Sequence, residues 1–75
     1  MTKYQFKINL IEALECCETY ATNDMLDHFI ELNFKENSYI QDWTFMNFYY
    51  FAIDVANEGM KRACQLNDLL YELDE

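Results

Sequence analysis

Apolar residues in the first part of the chain return at helical intervals. Phe6, Leu10, Ala13, Leu14, Cys17 and Ala21 line one side of a 3.6-residue helix. The stretch "TKYQ", Thr2 to Gln5, fits a capping box: the cap hydroxyl takes the backbone N–H three residues on, and the Gln side chain reaches back to the cap's own N–H. These signals predict a first helix over about residues 3–20. A rival pattern lies in the same place, because Tyr4, Phe6, Ile8 and Leu10 alternate as in a strand, with "NLIE" at Asn9 to Glu12 then capping a shorter helix. The helix is preferred, since the chain offers that strand no obvious partner.

A cap cluster follows in "ATND", Ala21 to Asp24, with Thr22 or Asn23 as N-cap and Asp24 and Asp27 in the first turn, where carboxylates complement the helix dipole. Met25, Leu26, Phe29, Ile30 and Leu32 then form a broad stripe, and "KENS" at Lys35 to Ser38 closes a second helix of about residues 24–35. "SYIQ", Ser38 to Gln41, repeats the capping-box signature and reads as the start of a third helix. From Phe45 the periodic positions are 45, 48, 52, 55, 59, 63, 66, 70 and 73, a near-heptad with one extra four-residue step from Gly59 to Ala63. Gly59 either closes helix three near Glu58, with Met60 opening a fourth, or lies inside one long helix. A bend or break is favoured. The expected fold is all-α, a small bundle of three to four helices in a single domain spanning residues 1–75.

The third helix is rich in rings: "WTFMNFYYFAIDV" holds six aromatic residues between Trp43 and Phe51. Consecutive helical residues advance by about 100°, so the run from Phe48 to Phe51 covers most of the circumference. Phe45, Phe48, Ala52 and Val55 form one face, and Trp43, Met46, Tyr50 and Ile53 another. One face suits the core. The other is a candidate partner or dimer surface, because Trp, Tyr, Phe and Met are enriched at interfaces; the competing arrangement wraps helix three on both sides with its neighbours.

Size sharpens the question of what the rings pack against. A chain of 75 residues buries only about 60–65% of the surface exposed when unfolded, so dense packing or self-association is needed. The three cysteines are an odd number and Cys16 and Cys17 are adjacent, which suits neither a disulfide framework nor a zinc site. They read as buried or half-buried free thiols in a reducing compartment. Glu12 and Glu15 interrupt what would be a signal peptide's apolar core. The longest uncharged run, Trp43 to Ile53, has 11 residues, short of the roughly 20 that span a bilayer. The expectation is a cytoplasmic protein without a membrane partner.

Charge changes the picture most. Fourteen acids oppose five bases for a net −9, and from Ile8 to Phe34 there are six acids and no Lys or Arg. Glu12, Glu15 and Glu18 step by three along the first helix; Asp24, Asp27 and Glu31 step by three and four along the second. Like charges at these spacings repel by a few tenths of a kcal/mol per pair, so stability does not require them. One carboxylate every 3.5 residues is about one charge per 5 Å of helix, against one per roughly 1.7 Å of duplex DNA; two acidic helices side by side narrow that gap. Such a surface suits a protein groove built for nucleic acid. Alternatively, the acids only keep a ring-rich chain soluble. Direct nucleic-acid binding is disfavoured, because Lys3, Lys7, Lys35, Lys61 and Arg62 do not cluster.

Catalytic signals are thin. His28, flanked by Asp24 and Glu31 on one helix face, makes a weak candidate for a divalent metal, and a surface histidine with acidic neighbours is the plainer interpretation. Glu15 and Glu18 beside Cys16 and Cys17 are expected to raise the thiol pKa values, with no nearby cation to lower them. Gly-rich phosphate loops and nucleophile elbows are absent from a chain with one glycine. No catalysis and no cofactor are expected. The expected function is a small acidic inhibitor that occupies a basic, nucleic-acid-binding surface of another protein, of the DNA-mimic, antirestriction, anti-CRISPR, immunity or antitoxin type. The alternative is a homodimeric structural or regulatory module joined through Trp43, Met46, Tyr50 and Ile53.

Overall fold

The computed structural model describes residues 1–71. It contains α1 (Lys3–Cys16), α2 (Asn23–Asn33), a one-turn 3₁₀ helix (Tyr39–Asp42), α3 (Phe45–Glu58) and α4 (Met60–Leu66). Among the described residues there is no strand, and Tyr4 to Leu10 belong to α1. The capping box that opens α1 is present: the Gln5 N–H donates to Thr2 Oγ1 at 3.1 Å and the Thr2 N–H to Gln5 Oε1 at 2.9 Å. Thr22 caps α2, accepting from the Met25 N–H at 3.2 Å. The expected helical class is therefore observed, with four α-helices among the described residues and a break at Gly59. No helix among the described residues is long and apolar enough to cross a membrane.

α1 ends at Cys16, earlier than its apolar periodicity suggests, because the chain enters a left-handed turn at Glu18 (φ 57°). There the Thr19 N–H reaches Leu14 O and the Glu18 N–H reaches Glu15 O, both at 3.0 Å, the Schellman closure. α4 ends in the same way at Asp68 (φ 56°), with Leu69 N–H to Cys64 O at 2.8 Å and Asp68 N–H to Gln65 O at 3.3 Å. Both turns carry an acid where glycine is the usual residue. Each acid also faces the negative end of a helix dipole. Glu18→Gly and Asp68→Gly should each stabilise the protein by about 0.5–1 kcal/mol, since the left-handed conformation costs an L-residue roughly 1–2 kcal/mol and added chain entropy offsets part of the gain. A thermal melt followed by circular dichroism should then rise by about 2–8 °C per substitution.

The connection after α2 differs from expectation. α2 stops at Asn33 rather than near residue 35, and "SYIQ" does not open α3. The Ser38 side chain instead accepts from the Lys35 N–H at 3.2 Å, and only a 3₁₀ turn follows. α3 begins seven residues later, at Phe45, behind Thr44, whose N–H donates to Asn47 Oδ1 at 2.9 Å. Asparagine replaces the usual Glu or Gln at the third position of this box, which hid it from the pattern. At the far end, Gly59 adopts φ 90° and ψ 166°, a region open essentially to glycine alone. It accepts the Ala63 N–H and donates to Val55 O, so one residue closes α3 and starts α4.

α1 packs on α3 and α2, and α3 on α4. Phe6, fully buried on α1, is the hub, with ring centroids at 6.2 Å from Phe29, 5.5 Å from Phe34, 5.5 Å from Trp43 and 4.9 Å from Phe48. Phe51 adds contacts to Phe29 at 5.3 Å and Trp43 at 5.5 Å. A small chain thus meets its need for apolar burial with a continuous ring cluster. Asn33, the buried polar side chain in this region, joins the chain beyond α4 to α2. Its Nδ2 donates to Phe29 O and Leu70 O, and its Oδ1 accepts from the Leu70 N–H, at 2.9–3.0 Å.

Candidate protein-binding surface

All six acids of the base-free stretch are exposed: Glu12, Glu15, Glu18, Asp24, Asp27 and Glu31. They are not, however, an uncompensated surface. Lys3 and Lys7 precede that stretch in sequence, but the antiparallel course of α1 and α2 brings Lys3 Nζ to 3.2 Å from Glu31 and Lys7 Nζ to 2.8 Å from Asp27. Exposed pairs of this kind contribute about 0–1 kcal/mol. Among the described residues, Glu12, Glu15, Glu18 and Asp24 have no cation within 4.0 Å. Glu15, Glu18 and Asp24 lie at or beside the turn between α1 and α2, whereas Glu12 sits about one turn earlier on α1. Glu18 lies past the end of α1, in the turn, so it does not continue the helical stripe of Glu12 and Glu15.

The ring face also needs correction. Trp43, expected with Met46, Tyr50 and Ile53 on one face of helix three, is only 8% exposed and lies in the core. α3 has not yet begun at Trp43; with ψ 133° its backbone is extended and swings the indole inward. Helical spacing extended back across the cap placed it wrongly. Phe45, expected inside, is 67% exposed. Met46 and Tyr50 are exposed as expected, and Ile53 is half-buried. The outer surface of α3 is therefore Phe45, Met46 and Tyr50, with Phe45 stacked on the half-buried Tyr49 at 6.1 Å and 8°.

A groove of about 220 Å³ runs between α1 and the start of α3, lined by Asn9, Glu12, Ala13 and Cys16 on one side and Trp43, Phe45 and Phe48 on the other. Ala13, Trp43 and Phe48 are buried and make its floor, while Glu12 and Phe45 are exposed and make its rims. One unpaired acid, Glu12, and one exposed ring, Phe45, thus meet across this groove, while Glu15, Glu18 and Asp24 lie outside its lining. Phe45 was misplaced by the sequence pattern, and Asn9 and Cys16 carried no signal of their own. The Thr44–Asn47 cap is the clue that would have set Phe45 at the first helical position.

His28 is half-buried with its Nε2 shielded and without a hydrogen-bond partner, so it is not the surface residue expected. Among the described residues, no three His, Cys, Asp or Glu side chains are grouped to hold a metal ion, and Asp24 and Glu31 do not form one with His28. The three thiols are free: Cys16 exposed, Cys17 half-buried and Cys64 buried. Burial raises the Cys17 thiol, with Cys16 as the second cause, rather than the flanking glutamates. Burial pushes Cys64 from 9.0 up to about 12. A raised folded pKa means that this group's contribution to stability is complete below pH 9 and is lost as pH rises toward 12, because the unfolded thiol ionises first. Urea midpoints should therefore fall between pH 8.5 and 11 in the wild type, and fall less in Cys64→Ala.

In comparisons with protein families, curated proteins and solved structures, nothing matches this chain.

Proposed function

We propose that this protein is a small acidic inhibitor that occupies a basic, nucleic-acid-binding surface of another protein, in the manner of DNA mimics, antirestriction and anti-CRISPR proteins, immunity proteins and antitoxins. The observation that carries the proposal is that an unpaired acid, Glu12, and an exposed ring, Phe45, form opposite rims of the α1–α3 groove, with further unpaired acids at Glu15, Glu18 and Asp24. The acids would steer a basic target into a fast, salt-sensitive encounter. The side chains of Phe45, Met46 and Tyr50 would then supply apolar anchors that slow dissociation. Neither a catalytic step nor a cofactor belongs to this function, nucleic acid is not bound directly, and the encounter takes place in the cytoplasm.

A homodimer through the outer face of α3 is the second reading, motivated by the exposure of Met46 and Tyr50. It must overcome the meeting of two chains that each carry −9. Capture from host lysate on the tagged protein, washed at stepwise increasing salt and read by mass spectrometry, separates the two. Recovery of one stoichiometric nucleic-acid-handling protein, released by salt and competed by DNA or RNA, supports inhibition. Recovery of the protein alone, together with a dimer in sedimentation, moves the function to self-association.

A further inference from the structure

We infer that the groove between α1 and the start of α3 seats an arginine side chain presented by the basic target, an inference that rests on the inhibitor function proposed above. The groove's volume of about 220 Å³ is below the roughly 300–1,000 Å³ of small-molecule sites, so its natural occupant is a side chain rather than a cofactor. Its chemistry is divided in a way that selects among side chains. Ala13, Trp43 and Phe48 make an apolar floor, the Phe45 ring stands on one rim, and the exposed Glu12 carboxylate stands on the other.

An arginine satisfies all three parts at once. Its methylene stem covers the floor, its guanidinium plane lies on a ring face, and its forked N–H groups meet the carboxylate in a bidentate pair. A purely apolar anchor would fill the floor but strip water from Glu12 without replacing its hydrogen bonds. Lysine would offer a compact point charge with weaker stacking. A second copy of this chain is the wrong occupant on charge, since it brings another −9. Glu12 is also available, having no cation within 4.0 Å among the described residues, and the Phe45 ring is already held against Tyr49.

The groove carries two reporters of its own: Trp43, the single tryptophan, and Cys16, an exposed thiol on the α1 wall. An acetylated hexa-arginine peptide titrated at low salt should change Trp43 fluorescence saturably and slow iodoacetamide alkylation of Cys16 about fivefold or more at saturation. Glu12→Gln and Phe45→Ala, both at exposed positions and expected to melt as the wild type does, should each weaken the peptide about fivefold or more, and hexa-lysine should bind several-fold more weakly. Asp24→Asn removes the same charge away from the groove and should weaken it by less than about twofold. Equal losses from Glu12→Gln and Asp24→Asn, with Cys16 unprotected, would overturn the inference, because arginine would then be gathering over the acidic surface as a whole. A dimer abolished by Phe45→Ala would overturn it in favour of a second copy. Lysate capture keeps the two proposals apart. A basic target retained equally by wild type, Glu12→Gln and Phe45→Ala ends the groove inference while inhibition stands, whereas the absence of any such target ends the inhibition reading itself.

Discussion

Phe6→Ala is expected to leave the protein without a cooperative thermal transition near that of the wild type. A 75-residue domain is stable by only about 4–11 kcal/mol at roughly 0.05–0.15 kcal/mol per residue, and removing a buried phenylalanine costs about 3–5 kcal/mol. The loss here belongs at the upper end of that range. Phe6 is completely buried and touches four other rings, from α2, the loop after it, the segment before α3, and α3 itself. Each such pair adds about 0.5–1.5 kcal/mol beyond area burial, and no single neighbour can collapse into the space without leaving another. With about 4–8 °C lost per kcal/mol in a domain of this size, the midpoint should drop by at least about 15 °C or disappear. Circular dichroism reads the helices, and Trp43 fluorescence reads the ring cluster directly. A melting curve within a few degrees of the wild type would mean that the rings are not organised around Phe6.

The second large effect is on binding. Reversing Glu12, Glu15, Glu18 and Asp24 to lysine should abolish capture of the target, weakening it about 100-fold or more. Four exposed charge contacts of roughly 0.7 kcal/mol each correspond to that factor before any new repulsion is counted. Each reversal changes the charge by two, so the four move the net from −9 to −1. The choice of residues follows the ion pairs: Asp27 and Glu31 stay, because they hold Lys7 and Lys3 and so link α2 to α1. Glu15 and Glu18 sit at the negative end of the α1 dipole, where a cation is favoured by about 0.3–1 kcal/mol; that gain offsets the loss of Asp24 from the first turn of α2. The variant should therefore melt close to the wild type. Loss of capture would then be a property of the surface rather than of folding, and unchanged capture would remove the acids from the mechanism and leave them as a solubility device.

Helix identity was legible in the residues because its causes are local. The Thr2–Gln5 box, the Thr22 cap and the three- and four-residue spacing of Phe6, Leu10, Ala13 and Leu14 involve groups within one turn of each other, and each is found in place. Gly59 belongs to the same class, since a backbone torsion of φ 90° is a demand that one residue type meets. The exact stops of α1 and α2 were less legible. Left-handed closure by Glu18 rather than by glycine leaves no compositional mark.

What the sequence by itself determined is thus the all-helical class, the break at Gly59, the acidic excess and the ring-rich character of α3, all of which follow from interactions inside single elements or from counting charges. Tertiary structure alone decided which rings are buried, which acids are unpaired, and that Glu12 and Phe45 face each other across one groove. Trp43 went inside and Phe45 outside because two residues of extended backbone precede α3, and Lys3 and Lys7 neutralised part of α2 because antiparallel packing returns the end of α2 to the start of α1. These outcomes depend on register and crossing between helices, where groups 20 or more residues apart become neighbours, and no periodicity within one helix encodes that distance.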